Sequence, residues 1–281
     1  MKVLVTGAGG MLARALVPRL EEAGHEVVPL NRAALDVTEE ATVASVVQRI
    51  EPEVVIQCAA YTNVDGAEKD EAGAFLLNAE ATSHVGRVCQ KIGAVLVYPS
   101  TDYVFSGESE QPYQTTDPIS PLNAYGRSKA AGEEAARQAK ALIVRTSWLY
   151  GFGGRNFVET ISRLAAEREE LRIVADQVGL PTWTSSLSGV IVQLLKVRAL
   201  GTFHAADGVE AVSWYQFAQE ILDFRGLKTK TVPVSSASYG AAAKRPRYSV
   251  LDCTSTEEVI GAKMPVRKAA LAEYISNLDS P

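Results

Sequence analysis

Short runs of consecutive apolar residues alternate along the chain with longer stretches in which apolar positions recur every three or four residues. The runs are Lys2–Thr6, Glu26–Leu30, Val54–Cys58, Ala94–Tyr98 and Leu142–Arg145. The stretches between them, around Leu12–Ala23, Glu39–Ile50, Ala72–Ile92 and Leu122–Lys140, carry helical spacing. A strand buried on one face alternates apolar with polar residues, whereas a strand buried on both faces does not. These runs do not alternate, which predicts a parallel sheet covered by helices on both sides. The expected fold class is α/β: a Rossmann-like doubly wound parallel sheet with a smaller C-terminal lobe.

After Tyr150 the rhythm loosens. Short strands at Arg172–Val174, Gly201–His204 and Thr229–Val232 mix with helices near Leu187–Lys196 and Trp214–Phe224. Residues 1–150 are therefore expected to form the sheet domain. Residues 151–281 are expected to form mainly the second lobe, with some segments returning to the sheet. Between Tyr98 and Leu122 lies a Ser-, Asp-, Gly- and Pro-rich segment containing Pro112, Pro118 and Pro121. A connection this long is usually functional. It leaves the carboxyl end of a parallel strand, where ligands bind in such sheets. Ser120 and Pro121 are expected to open the following helix as N-cap and first-turn proline.

The chain opens Val3-Leu4-Val5-Thr6-Gly7-Ala8-Gly9-Gly10-Met11-Leu12-Ala13: strand, glycine turn, helix. Gly7 suits the tight turn, and Gly10 allows a pyrophosphate to approach the helix N-terminus. Ala13 stands where a third glycine often lets helix and strand pack closely. A nicotinamide dinucleotide, NADPH or NADH, is the ligand this arrangement predicts. The second strand ends Leu30-Asn31-Arg32. A carboxylate there would hold the ribose hydroxyls of NAD; Arg32 instead accommodates a 2′-phosphate. Asp36 suits the adenine amino group and Val37 a wall for its ring. At the third strand's end, Ala59, Ala60, Tyr61 and Thr62 leave room for the cofactor to pass.

The catalytic candidates are Thr101, Tyr125 and Lys129. Thr101 ends the fourth strand, while Tyr125 and Lys129 stand at i and i+4 and share a helix face. A hydride arriving at a carbonyl carbon leaves charge on oxygen, which must be protonated. A free phenol, with its pKa of about 10, is a poor acid–base group at neutral pH. A neighbouring ammonium lowers it by ~1–3 units. Tyr125 is thus read as proton donor, Lys129 as its tuner and holder of the cofactor's ribose, and Thr101 as the hydrogen-bond donor to the carbonyl oxygen.

The T-G-x-x-G spacing at Thr6–Gly10 resembles the extended branch of the short-chain dehydrogenase/reductase superfamily. A closer resemblance runs through Ser100–Gly107, Pro121–Lys129, Gly132-Glu133 and Arg145–Gly151. It continues through Asn156–Val158, Asp176–Thr182, Ser213–Tyr215 and Arg245-Pro246. These segments resemble the dTDP-4-dehydrorhamnose reductase family, over most of the chain. That resemblance implies NAD(P)H-dependent reduction of the 4-keto group of dTDP-6-deoxy-L-lyxo-4-hexulose to dTDP-L-rhamnose, with the second lobe binding substrate. It implies a cofactor loop at Gly10, Met11 and Leu12, and substrate contacts at Thr101, Asp102 and Trp148. Tyr103, Val104 and Phe105 are implied to line the sugar pocket. Some members are dimers bridged by magnesium through acidic side chains, so a homodimer and Mg2+ come with the resemblance. The first helix carries Ala15, however, and no matching set of carboxylates is found, so no metal ligand is assigned.

Composition narrows the alternatives. Net charge is −5 over 281 residues. An acidic surface disfavours general binding to nucleic acid. Cys58, Cys89 and Cys253 lie far apart, as do His25, His84 and His204, so neither zinc spacing nor a disulfide framework is present. No segment reads as a membrane span or signal peptide, and a cytoplasmic protein is expected. Two other readings remain beside the rhamnose reductase. One is a neighbouring enzyme: a reductase of a related nucleotide 4-keto-deoxysugar, or a dehydratase or epimerase of the same superfamily. Dehydratases carry an Asp-Glu pair after the strand-end Thr, where this chain has Asp102-Tyr103. The other is a non-catalytic NADP-binding regulatory subunit, against which the intact Thr101, Tyr125 and Lys129 argue.

Overall fold

The computed structural model describes residues 1–208 and 210–278. Its first half alternates strand and helix: β1 (Lys2–Thr6), α1 (Met11–Glu22), β2 (Glu26–Leu30), α2 (Glu40–Ile50) and β3 (Val54–Gln57). Then come α3 (Val64–Ala67), α4 (Glu71–Phe75), a π-helical turn (Leu76–Glu80), α5 (Ala81–Ile92), β4 (Val95–Thr101), α6 (Ala124–Gln138) and β5 (Leu142–Thr146). The second half holds β6 (Leu149–Tyr150), α7 (Phe157–Glu167), β7 (Glu170–Val174), β8 (Val178–Gly179), β9 (Thr182–Trp183), α8 (Thr184–Lys196) and β10 (Gly201–His204). It continues with β11 (Val212–Ser213), α9 (Trp214–Arg225) and β12 (Lys230–Val234), and three further helices follow.

Five strands of the first half and β10 form one parallel sheet, ordered β10-β5-β4-β3-β1-β2. Side chains of a strand point to alternate faces, and the unbroken apolar runs divide accordingly. Val3, Val5, Val54, Ile56, Val97, Leu142 and Val144 enter a core with α1 and α8. Leu4, Val55, Leu96, Tyr98 and Ile143 enter a second core with α2, α5 and α6. A third core, around Tyr150, Ile161, Trp183, Phe217 and Tyr274, belongs to the later residues. The sequence boundary near residue 150 is crossed twice, since α8 packs on α1 and β10 pairs with β5.

Two local expectations differ from the structure. The helix expected over Ala72–Ile92 is interrupted at Leu76–Glu80, where a π turn inserts extra backbone. Helix α6 is opened by Asn123 and not by Ser120-Pro121: the Asn123 side chain accepts from the Gly126 N–H at 2.7 Å. An Asn cap supplies the acceptor that the first turn needs. The peptide N–H of Ser120 instead bonds the Val104 carbonyl at 2.9 Å, which holds that stretch in a loop.

Candidate active site

The glycine turn is shaped by close approach of backbone to backbone. Gly7 has φ +61°, and a Cβ there would stand 2.6 Å from the Ala59 nitrogen. Only glycine lets the loop after β1 lie against the one after β3. Gly10 donates its N–H to the Gly7 carbonyl at 2.9 Å and serves as N-cap of α1 without a side-chain acceptor. The first-turn N–H groups of α1 therefore lack a side-chain cap and carry the positive end of the helix dipole. A Cβ on Gly9 would meet nothing within 4 Å, so the loop has an open side. Met11 faces Gly154 across this opening, and Leu12 is turned into the core.

Arg32 is mostly exposed and donates from Nε to Asp36 at 3.1 Å. The Asp36 carboxylate also accepts from the Thr38 hydroxyl at 2.7 Å and from its N–H at 3.1 Å. These Thr38 bonds, with Arg32, hold its pKa below the ordinary carboxylate value. The two side chains assigned separately to phosphate and adenine thus pair with each other. Val37 is buried in the second core. Ala59 donates its N–H to the Thr6 hydroxyl at 3.3 Å. Tyr61 packs against Tyr125 and small alanines, while Thr62 is exposed.

Thr101 ends β4 opposite Thr146 of β5. Its hydroxyl donates to Asp102 Oδ1 at 3.0 Å and accepts from the Tyr103 N–H at 3.2 Å. The cap at Asn123 fixes where α6 begins, so Tyr125 and Lys129 project from one face toward this strand end. Tyr125 reaches the Thr101 hydroxyl, and its ring meets Tyr103 edge-on at 5.9 Å. Burial holds the Tyr125 phenol well above its ordinary pKa, with the Thr101 hydrogen bond as the chief opposing influence. Burial also pushes Lys129 down to about 7. Its Nζ donates to the Pro99 carbonyl at 2.7 Å and lies 3.9 Å from the centre of the Tyr98 ring. The expected direct lowering of Tyr125 by Lys129 is not what this geometry provides, because the ammonium is turned to that carbonyl. Asp102 is raised to about 7 by burial, partly offset by the Ser249 and Thr101 hydroxyls. Its Oδ2 is buried without a hydrogen-bond partner, an acceptor that buried structure seldom leaves idle.

Val104 and Phe105, implied to line a sugar pocket, have fully buried side chains. Phe105 stacks on Tyr113 at 4.2 Å and lies under Arg145. Both side chains therefore back the site and do not form its surface. Tyr103 is nearer the surface, and its hydroxyl bonds Arg245. Arg245 in turn grips Asp65 through two nitrogens, at 2.8 and 3.1 Å. Trp148, two residues past β5, stacks on Trp214.

Sequence reasoning did not assign the polar layer behind these residues. Glu133, one helical turn after Lys129, is fully buried. Its carboxylate accepts from Ser100 at 2.6 Å, from Arg145 twice at 2.8 Å and from Arg137 at 2.6 Å. Arg145 also reaches the Thr115 carbonyl at 3.2 Å and His204 at 3.4 Å. Burial, with Arg145 alongside, drives His204 down to about 4 and keeps it neutral. Asn78, in the π turn, holds both backbone groups of Tyr61 at 2.8 and 3.0 Å and donates to Ser128 at 2.9 Å. One signal was available: an arginine inside the apolar strand Leu142–Thr146 demands a buried carboxylate partner.

A family model described as the RmlD substrate binding domain matches residues 1–280. The chain belongs to this family. Among its relatives, a spore coat polysaccharide biosynthesis protein, SpsK, of Bacillus subtilis is 40% identical, covering 99% of this chain and 98% of that one. A dTDP-4-dehydrorhamnose reductase structure from Clostridium acetobutylicum superposes with a TM-score of 0.96 at 38% identity, covering 100% of both chains. A second, from Bacillus anthracis and in complex with NADP, gives 0.94 at 40% identity over 98% of this chain and 99% of that one.

A dinucleotide suits the residues present: the uncapped N-terminus of α1, the open side at Gly9 and the small Ala59 and Ala60 form a cradle that larger side chains would fill. Among the described residues, no group of three or more His, Cys, Asp or Glu side chains is arranged to hold a metal ion, and no step is routed through one.

Proposed function

We propose that this chain is an NAD(P)H-dependent reductase that converts dTDP-4-dehydro-L-rhamnose to dTDP-L-rhamnose, in the making of nucleotide sugar for polysaccharide. The observation that carries this reading is the meeting of the Thr101 hydroxyl with the Tyr125 phenol, held protonated by burial, at the carboxyl end of β4. The bound cofactor supplies a hydride. Tyr125, held protonated by burial, gives its proton to the carbonyl oxygen, and the Thr101 hydroxyl donates to the same oxygen. Lys129 and residues 59–62 hold the cofactor's ribose side; Gly7, Gly10, Met11 and Leu12 hold its pyrophosphate. Asp102, Tyr103 and Trp148 contact substrate. The position of a dehydratase's second carboxyl is taken by Tyr103, whose hydroxyl is committed to Arg245, so the carboxyl pair that drives elimination of water is incomplete.

The division of labour follows the sheet. Residues 1–150 bind cofactor, and 151–281 form mainly the substrate lobe, apart from α8 and β10. The three cysteines are unpaired thiols, and among the described residues no helix is long and apolar enough to cross a membrane. Both fit a reducing cytoplasm. The test is NMR of the product formed from dTDP-4-dehydro-L-rhamnose with NADPH. We expect dTDP-L-rhamnose with stoichiometric NADPH oxidation. Formation of the other C4 epimer, or no oxidation, overturns the assignment.

A further inference from the structure

The reacting groups sit on two separate elements: α6 carries Tyr125 and Lys129, and β4 ends in Thr101. Their meeting depends on where the helix lies along the strand. Close approach sets the spacing between the two layers. A Cβ on Gly126 would collide with the Tyr103 carbonyl, and one on Gly132 with the Asn78 carbonyl and the Tyr98 hydroxyl. Directional bonds set the rest. Tyr125, Lys129 and Glu133 recur every four residues and share one helix face. Lys129 donates to the Pro99 carbonyl, but it also serves the cofactor. The bond from Ser100 to Glu133 has no second duty in the site.

Glu133 joins three elements through one buried carboxylate. Its Oε1 accepts from the Ser100 hydroxyl at 2.6 Å and from Arg145 Nε at 2.8 Å, and its Oε2 accepts from Arg145 Nη2 at 2.8 Å. Ser100 precedes Thr101 and stands opposite Arg145 in the sheet. The carboxylate therefore closes a triangle of α6, β4 and β5 directly behind the residue that meets Tyr125. A hydroxyl-to-carboxylate bond this short is roughly twice as strong as a neutral one. Side chains alternate along a strand, so Ser100 shares with Tyr98 the face covered by α6, and Thr101 is turned to the other. Ser100 and Glu133 are both buried and can act on the reaction only by placing other groups.

We propose that Glu133 is a positioning residue for the reduction: its bond to Ser100 ties α6 to β4 and so sets the Thr101 hydroxyl against the Tyr125 phenol. The inference rests on the reductase reading above and adds Ser100 and Glu133 to the residues that govern the chemical step. The carboxylate then has two separable tasks. Its bonds to Arg145 and Arg137 compensate buried charge, which the fold needs whatever the chain does. Its bond to Ser100 matters where Thr101 must stay in register with α6. Thr101 leaves little tolerance for error, because its one hydroxyl donates to Asp102, accepts from the Tyr103 N–H and meets Tyr125. A displacement of about 1 Å between reacting groups can cost roughly 10²-fold in rate.

Ser100→Ala separates the two tasks, since Arg145 and Arg137 remain on Glu133. Single-turnover NADPH oxidation with dTDP-4-dehydro-L-rhamnose is measured per NADPH-binding site, so that unfolded chain does not count. Ser100→Ala is expected to slow the chemical step about ten- to hundredfold, with NADPH affinity within about twofold of wild type. A general loosening of the fold would give the same loss in any background. Positioning gives none once the group being positioned has gone. In a Thr101→Val background, Ser100→Ala is therefore expected to slow the step by less than about threefold further. Equal losses in the two backgrounds overturn the inference, as does a Ser100→Ala protein as fast as wild type; either result leaves the reductase reading standing. A wild-type chain that oxidises no NADPH with this substrate overturns that reading and the inference with it.

Discussion

The two halves of the site are built from different materials. On the β1–β2 side, the cradle is backbone and small residues, and its one charged pair, Arg32 with Asp36, stands in solvent. On the β4–β5 side, the chemistry rests on charged and polar side chains that are almost wholly buried: Asp102, Lys129, Glu133 and Arg145 are each 3% exposed or less. Water screens the first group and not the second. Charge changes on the cradle side should therefore adjust which cofactor binds, whereas the same changes on the β4–β5 side should alter chemistry or stability.

The largest effect expected from this contrast is that of Tyr125→Phe. Removing the phenolic proton should cost ~10²–10⁴-fold in the chemical step, the usual worth of general acid catalysis, with NADPH affinity unchanged. Single-turnover NADPH oxidation measures it; a loss smaller than about tenfold would remove Tyr125 as the acid. Next comes Glu133→Gln, which leaves Arg145 buried beside a neutral partner. Breaking a buried pair from one side costs about 3–5 kcal/mol. Arg32→Ala, on the exposed side, should stay within about 0.5 kcal/mol of wild type. Urea unfolding compares them, and equal costs would erase the distinction between the two halves.

Asp102 sharpens the contrast through pH. Its carboxyl titrates at about 7 in the fold against an ordinary value of 3.8, so the folded state binds this proton more tightly than the unfolded chain. The stability it contributes is present below about pH 4 and is lost as pH rises through about 7. Asp102→Asn does not titrate. Its stability relative to wild type should therefore climb between about pH 4 and 7 and then level off. Asp207, also raised to about 7 by burial, and the lowered His204 are common to both proteins and cancel in the difference. A flat difference across that window would show that Asp102 is not held protonated.

The smallest effect is expected at Arg32. A guanidinium pairs well with a 2′-phosphate, but this one is exposed and shared with Asp36. Arg32→Ala should lower kcat/KM for NADPH by about three- to tenfold and leave NADH nearly unchanged. Equal losses for both cofactors would mean that Arg32 supports the adenosine pocket and does not read the phosphate.

How much of this was legible in the sequence follows the same division. Lys2–Thr6 and Glu26–Leu30 could be bounded from their apolar runs because Val3, Val5 and Val27 enter one helical layer and Leu4, Val28 and Leu30 the other. Tyr125 and Lys129 share a face by helix geometry alone. The π turn at Leu76–Glu80 was not readable, because its cause is tertiary. Asn78 must bond Tyr61 and Ser128, and its carbonyl also accepts from the Tyr98 hydroxyl at 3.0 Å. The burial of Val104 and Phe105 was hidden for a related reason. Their covering residues, Tyr113 and Leu251, come from a loop and from a segment far along the chain. Likewise the Arg32–Asp36 pair joins two residues whose separate chemistry was plain and whose mutual attraction competes with it.

The place of β10 has a consequence for how the protein is made. The chain emerges from the ribosome N-terminus first, at about 5–20 residues per second. β5 must wait for residues 201–204 before its outer edge is paired. Until then Leu142–Thr146 is an unpaired apolar edge, a ready template for a neighbouring nascent chain. Arg145 meanwhile lacks His204, so the charge inside that strand is only partly enclosed. A fragment ending near residue 150 would carry this edge permanently. It should aggregate during expression, whereas a fragment continuing past His204 should stay dispersed.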